Sequence, residues 1–254
     1  MITRQGREDS RLPRADSISF GKVSDCTVTP DAGHRSDIYL TFDIDWACDE
    51  VLADTIDLVE KANVTATWFV THDTPLLARL RANQKFELGV HPNFNFLLEG
   101  NPKNGRNAEE VIDQVLKIVP EAKAIRCHSM TQNSKLSQLF VDKGFTHDCN
   151  HLVPEQSDIP LKPWRLWNGL IKVPHFWEDD AVCIYEVNTP VQELLSRGGL
   201  KVFDFHPIHI FLNTENLERY ERTREFHRNP EELIKHRYEG EGTRTALETL
   251  LGLP

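Results

Sequence analysis

The sequence predicts an α/β fold: a mainly parallel sheet covered by helices, with enough strands to close into a barrel. Three observations lead there. Short apolar runs alternate with segments of helical periodicity from about Asp37 to Asn213. The parallel order needs helical crossovers between strands, and the intervening segments are long enough to supply them. Carboxylates, histidines and an arginine fall at the carboxyl ends of the expected strands, where sites of parallel α/β folds lie.

Residues 1–36 hold few large apolar side chains beyond Ile18, Phe20 and Val23, and read as an arm lying loosely on the domain. Tyr39 to Trp46 is the first buried strand. Alternation puts Leu40, Phe42 and Ile44 on one face and Thr41, Asp43 and Asp45 on the other. Two like charges on one face repel unless a cation or a shared proton offsets them. Asp49 to Ala62 is helical, with Val51, Leu52, Ile56 and Val59 at helical spacing. Ala66 to Val70 is a strand, Leu76 to Ala82 a helix behind Pro75, and Phe86 to His91 a third strand.

Asn107 to Val119 is the clearest helix. Asn107 caps it, Glu110 sits at the reciprocal capping-box position, and Pro120 ends it. Ala124 to His128 is a strand, and Ser134 to Lys143 a helix closed by Gly144. Phe145–Cys149, Leu170–Pro174 and Ala181–Glu186 read as strands, Gln192–Ser196 as a helix, and Leu200–His206 as the last strand. Residues 214–254 read as charged, peripheral helices.

Composition narrows the function. The net charge is −10 over 254 residues, so nucleic acid is not an expected partner. No apolar run is long enough for a bilayer and no secretory h-region is apparent, so no membrane partner and a cytoplasmic location are expected. Five scattered cysteines without a C-x-x-C pair suit free thiols.

The strand ends carry the chemistry. Asp43 and Asp45 end the first strand, His91 the third, Arg126 and His128 the fourth, and Asp204 and His206 the last. Asp and His donors suit Zn²⁺ or another divalent first-row metal. Asp45 and His91 are the first two ligand candidates. The third is either Asn95, four residues after His91, or His128. His175, Asp179 and Asp180 read as rim groups. Trp164, Trp167, Phe176 and Trp177 either line a sugar groove or pack in the core.

Thr41-Phe42-Asp43-Ile44-Asp45 resembles the first motif of the polysaccharide deacetylases, the NodB-homology proteins of carbohydrate esterase family four. Gly89-Val90-His91-Pro92-Asn93-Phe94-Asn95 looks like their histidine-containing second motif. Arg126-Cys127-His128-Ser129 stands where an Arg-x-Pro motif would be, and Phe205-His206-Pro207-Ile208-His209 looks like their last strand. The resemblance runs from about Asp37 to Asn213. It implies a distorted (β/α) barrel of about seven strands, and metal-dependent removal of acetyl from an N-acetylated sugar, with Zn²⁺ as the expected ion. It implies Asp43 as general base, Arg126 orienting it, Asp45 and His91 holding metal, and His206 as general acid. Alternation puts Asp204 on the same strand face as His206, placed to keep that imidazole charged. Three departures stand out: Asn95 replaces a second histidine, His128 replaces a proline, and Ile44 separates the two carboxylates. Two rival readings accompany this one. The first is an amidohydrolase of a small cyclic amide or imide; the second is a non-catalytic carbohydrate-binding homologue.

Overall fold

The structure is a computed structural model and describes residues 19–29 and 38–254. In chain order it contains β1 (Phe20–Gly21), β2 (Ile38–Asp43), α1 (Asp49–Ala62), β3 (Ala66–Val70), α2 (Leu76–Ala82), β4 (Phe86–Val90), α3 (Asn95–Leu98), α4 (Ala108–Leu116), β5 (Ala124–Ile125), α5 (Ser134–Asp142), β6 (His147–Asp148), β7 (Trp164–Arg165) and β8 (Ile171–Lys172). Then follow β9 (Trp177–Glu178), α6 (Asp179–Tyr185), α7 (Val191–Ser196), β10 (Lys201–Phe205), α8 (Pro207–Leu212), α9 (Leu217–Arg222), α10 (Pro230–Leu233) and α11 (Thr243–Leu251).

The strands form one curled sheet in the order β7-β8-β6-β5-β4-β3-β2-β10-β9, with β1 added on β2. Every pair is parallel except β7 with β8. This is the expected α/β barrel type, distorted in that its path ends at β7 and β9 instead of closing. All six residues of β2 are buried. Phe42 stacks on Trp68 of β3, with ring centroids 4.2 Å apart, and meets Phe205 of β10 at 6.0 Å. Such rings, removed wholly from water, contribute about 1.5–3 kcal/mol each and hold the central strands in register.

Both ends of the described chain are anchored. Val23 is fully buried and its N–H donates to Thr67 Oγ1 at 3.0 Å, while His147 Nε2 lies 2.9 Å from the Cys26 carbonyl. The described part of the arm is therefore packed against the sheet, not loosely laid on it; Ile18 lies outside the described residues. At the other end Leu247 and Leu250 of α11 join the main core.

Several elements differ from the sequence expectation. Ala181–Glu186 lies in helix α6 and its C-cap, not in a strand. An apolar, β-branched run suggested the strand, but Asp179 and Asp180 occupy the first turn of a helix, and Ile184 and Tyr185 are exposed together. The strand that feeds α6 is β9. α4 keeps its Asn107 cap, with Asn107 Oδ1 accepting the Glu110 N–H at 2.9 Å, but Glu110 reaches the Arg106 N–H rather than its reciprocal partner. Strands β5, β6 and β8 are shorter than expected. Phe176 and Trp177 are core residues. Trp167 is exposed in the β7–β8 turn; β8 runs parallel to the other strands, so that turn lies at the end opposite the site.

Candidate active site

β2 and its exit turn supply the first two carboxylates. The strand stops at Asp43, and Asp45 and Trp46 then take left-handed backbone conformations, φ 31° and 55°. Non-glycine residues adopt that region at a cost of about 1–3 kcal/mol, and such residues concentrate at functional sites. The turn aims Asp45 across the barrel mouth. His91 follows β4, and its N–H continues the ladder to the Val70 carbonyl at 2.8 Å. His128 follows β5, held by its N–H to the Pro92 carbonyl at 3.0 Å, ahead of a left-handed turn at Ser129 and Met130.

These three side chains converge. His91 Nε2 lies 3.3 Å from Asp45 Oδ1 and 3.4 Å from His128 Nδ1, and His128 Nδ1 lies 3.4 Å from Asp45 Oδ2. Donors bound tetrahedrally to Zn²⁺ at its usual bond lengths are spaced roughly 3.3–3.5 Å apart. Asp45 Oδ1 is buried without a hydrogen-bond partner. Two imidazoles and one carboxylate, with room for more ligands, fit a catalytic zinc set. His91 Nδ1 faces Asp43 Oδ2 at 3.3 Å, which suits the tautomer whose Nε2 is free to bind a cation. Other groupings, such as Asp43 with Asp204 and His206, are already engaged by Arg126 and Asp179.

A second constellation surrounds Arg126, which is 1% exposed. Its Nη1 donates to Asp43 Oδ1 at 3.0 Å and to Asp204 Oδ1, and its Nη2 donates to Thr41 Oγ1 at 3.0 Å. Thr41 Oγ1 in turn donates to Asp204 Oδ1 at 2.9 Å. Burial pushes the Asp43 carboxyl up to about 6, with Arg126 opposing. Asp204 is pushed up to about 8 for the same reasons. Across the mouth, His206 heads α8. Its Nδ1 donates to Asp179 Oδ1 at 2.6 Å and its backbone N–H to Asp179 Oδ2 at 2.7 Å. Burial alone would pull His206 down, yet Asp179 and Asp180 hold it well above the ordinary histidine value. Burial pushes His91 down to about 3, leaving a neutral imidazole. His128 is raised: its hydrogen bond and charge contact with Asp45 outweigh burial. The Asp45 carboxyl is held well below the usual carboxylate range, because His128, His91 and His206 outweigh its burial.

The profile of the WbmS-like polysaccharide deacetylases matches residues 40–224. The chain belongs to that family. The chain is also similar to a solved structure from Bordetella bronchiseptica, a candidate polysaccharide deacetylase involved in O-antigen biosynthesis. The two share 46% identity over 92% of this chain and 97% of that one, with a TM-score of 0.87. No curated protein matches.

The fold brings seven of the eight strand-end and ligand candidates into one cleft of about 90 Å³: Asp43, Asp45, His91, Arg126, His128, Asp204 and His206. The eighth, Asn95, turns its amide to Ser129 Oγ at 3.0 Å. Asp204 does not serve His206, as alternation along one strand suggested; it is bound by Arg126 and Thr41. Sequence reasoning placed Asp179 at the rim without giving it that partner. Its signal was position: the first residue of a helix directly after a strand, level with the next strand's end. Glu178 and Asp180 also line the cleft.

Proposed function

We propose that this protein is a metal-dependent enzyme, with Zn²⁺ as its ion, that removes acetyl from an N-acetylated sugar of a surface polysaccharide or its precursor. The observation that carries this reading is the Asp45–His91–His128 triad, flanked by the Asp43–Arg126 pair on one side and the His206–Asp179 pair on the other. Asp45, His91 and His128 would hold the ion. When bound, it supplies Lewis-acid polarisation of the amide carbonyl and acidifies an attacking water.

The chain's own groups do the proton work. Asp43 is the general base: buried, ionisable near neutrality, and oriented by Arg126, it is suited to take a proton from water. His206 is the general acid. An amine is a poor leaving group, and an imidazolium kept charged by Asp179 donates the proton it needs. A full donor set beside an intact acid–base pair weighs against the non-catalytic reading. Similarity to a protein involved in O-antigen biosynthesis supports a glycan of that kind as substrate. Among the described residues no helix is long and apolar enough to cross a membrane, and the net charge is −10, which fits a carbohydrate substrate better than a nucleic acid.

The test is acetate release from a panel of N-acetylated mono- and oligosaccharides by zinc-loaded protein, beside elemental analysis. Release that needs about one zinc per chain, and that Asp45→Ala abolishes, is the expected result. Turnover of cyclic imides with no acetate from any sugar would overturn the reading in favour of its rival.

A further inference from the structure

Beyond the Asp45–His91–His128 triad and the carboxylates bound by Arg126, the cleft is lined by three more Asp, Glu and His side chains: Glu178, Asp180 and His206. Their donor atoms lie within 4.8 Å of one another. Glu178 ends β9, Asp180 stands in the first turn of α6, and His206 follows β10, the parallel neighbour of β9.

Each of the three is held from behind by a buried partner. His206 Nδ1 donates to Asp179 Oδ1 at 2.6 Å, which leaves Nε2 as the ring nitrogen available to a ligand. Nε2 lies 3.6 Å from Asp45 Oδ2 and 4.0 Å from Asp180 Oδ2, too far for a hydrogen bond to either. Asp180 Oδ1 accepts from His209 Nε2 at 2.6 Å, and Glu178 Oε2 lies 3.0 Å from His175 Nε2. All three partners are buried, His175 and Asp179 fully. Each carboxylate thus has one oxygen fixed and one left over. Partners of this kind orient the ligands of metal ions. Neither His175 nor His209 takes part in the proton work above, so that chemistry does not account for their placement behind two cleft carboxylates.

Spacing sets the strength of such a site. Donors of the triad stand 3.3–3.4 Å apart, as around tetrahedral zinc. Here His206 and Asp180 stand 4.0 Å apart, so an ion must draw its donors inward and binds less tightly. We propose that Glu178, Asp180 and His206 Nε2 form a second, weaker divalent-cation site, filled when metal exceeds what the triad takes up, and that its occupancy arrests the enzyme. Coordination uses the Nε2 electron pair, so the ring cannot carry the proton that the leaving amine needs. The arrest rests on the deacetylase reading above; the site itself does not.

The probe is zinc alone, added to the full chain first in stoichiometric amount and then in excess, with uptake read by equilibrium dialysis and elemental analysis. Wild type should take up a second zinc in excess metal. Glu178→Gln removes a ligand and should weaken that second uptake by at least about tenfold; His209→Asn removes only a backing partner and should cost it about 10–100-fold. Both should keep the first zinc, whereas His128→Ala should lose the first and keep the second. Acetate release, on the sugar of the panel above that reacts fastest, should peak near one zinc per chain. In excess zinc it should fall by about 10²–10⁴, the contribution of a positioned acid, and Glu178→Gln should need far more zinc for the same fall. No second uptake, or one that neither Glu178→Gln nor His209→Asn weakens, overturns the site. A second uptake with those sensitivities that leaves acetate release unchanged, or raises it, overturns the arrest. The same uptake in a wild type that releases no acetate from any sugar at any zinc level overturns the deacetylase reading and leaves the site standing.

Discussion

Asp179→Asn is the sharpest perturbation of the proposed acid. Asp179 is fully buried and accepts three hydrogen bonds: from His206 Nδ1 at 2.6 Å, the His206 N–H at 2.7 Å and the Asp180 N–H at 2.9 Å. Asparagine offers one oxygen in place of two. Whichever way its amide turns, an NH₂ meets an N–H of His206. The imidazolium also loses its ion partner, and removing one member of a buried pair costs about 3–5 kcal/mol. His206 can escape part of that cost by giving up its proton, because burial already favours the neutral ring. In the wild type the folded pKa is raised, so the stabilisation from this pair is full below the unfolded value near 6.5. It fades as pH rises through the folded value. Urea titrations should therefore show a larger wild-type-to-variant gap at pH 6 than at pH 9. In acetate-release assays the alkaline limb of kcat/KM should move to lower pH, and the neutral-pH rate should fall by about 10²–10⁴, the range for a positioned acid. An unmoved alkaline limb with a rate near that of wild type would refute the assignment of His206 and Asp179 as the acid pair.

The other predictions follow from the same geometry. His128→Ala should abolish stoichiometric zinc by elemental analysis, whereas Asn95→Ala should keep it, since Asn95 is turned to Ser129; the opposite pair of results would exchange their roles. Zinc binding near pH 6.5 should release about one proton, read by calorimetry in buffers of different ionisation enthalpy, because His128 is raised and must deprotonate to bind; a release that does not fall at pH 9 would contradict this. Arg126→Met should abolish activity and lower stability by roughly 3 kcal/mol or more, as it strands Asp43 and Asp204 in the interior; a chemical-denaturation midpoint equal to wild type would count against it. Gly105→Ala should lower Tm, by the strain of a non-glycine residue at φ 130° pressed onto α4, without changing zinc content.

The central strands were legible because β2, β3 and β4 are apolar runs with clear punctuation; β3 and β4 stand where the sequence put them, while β2 stops at Asp43, short of the expected Trp46, because Asp45 and Trp46 turn left-handed. The site residues at strand ends were legible for the same reason: parallel topology collects carboxyl ends at one rim, whatever their separation in the chain. What escaped was pairing across the mouth. Asp204 and His206 share a strand face, so alternation coupled them, yet the guanidinium of Arg126 and an aspartate from the adjacent β9–α6 junction compete for them and win on geometry. The choice between Asn95 and His128 also depends on turns with positive φ at Asp45, Ser129 and Met130. None of these is glycine, so composition gave no hint of them. α6 was misread because an apolar run of five residues suits either period until its neighbours are known.

Arg126 has a consequence for how the chain reaches its native state. Its partners Thr41, Asp43 and Asp204 are 85, 83 and 78 residues away in sequence. Helix α1 and the adjacent β3–β4 pair depend on much shorter loops and can form early. The guanidinium knot cannot form until β2, β5 and β10 have all docked, because each contributes to it. Loop closure over such separations is an entropic cost met before any of these bonds exists. The residue that would orient the base is thus also among the last to lose its water.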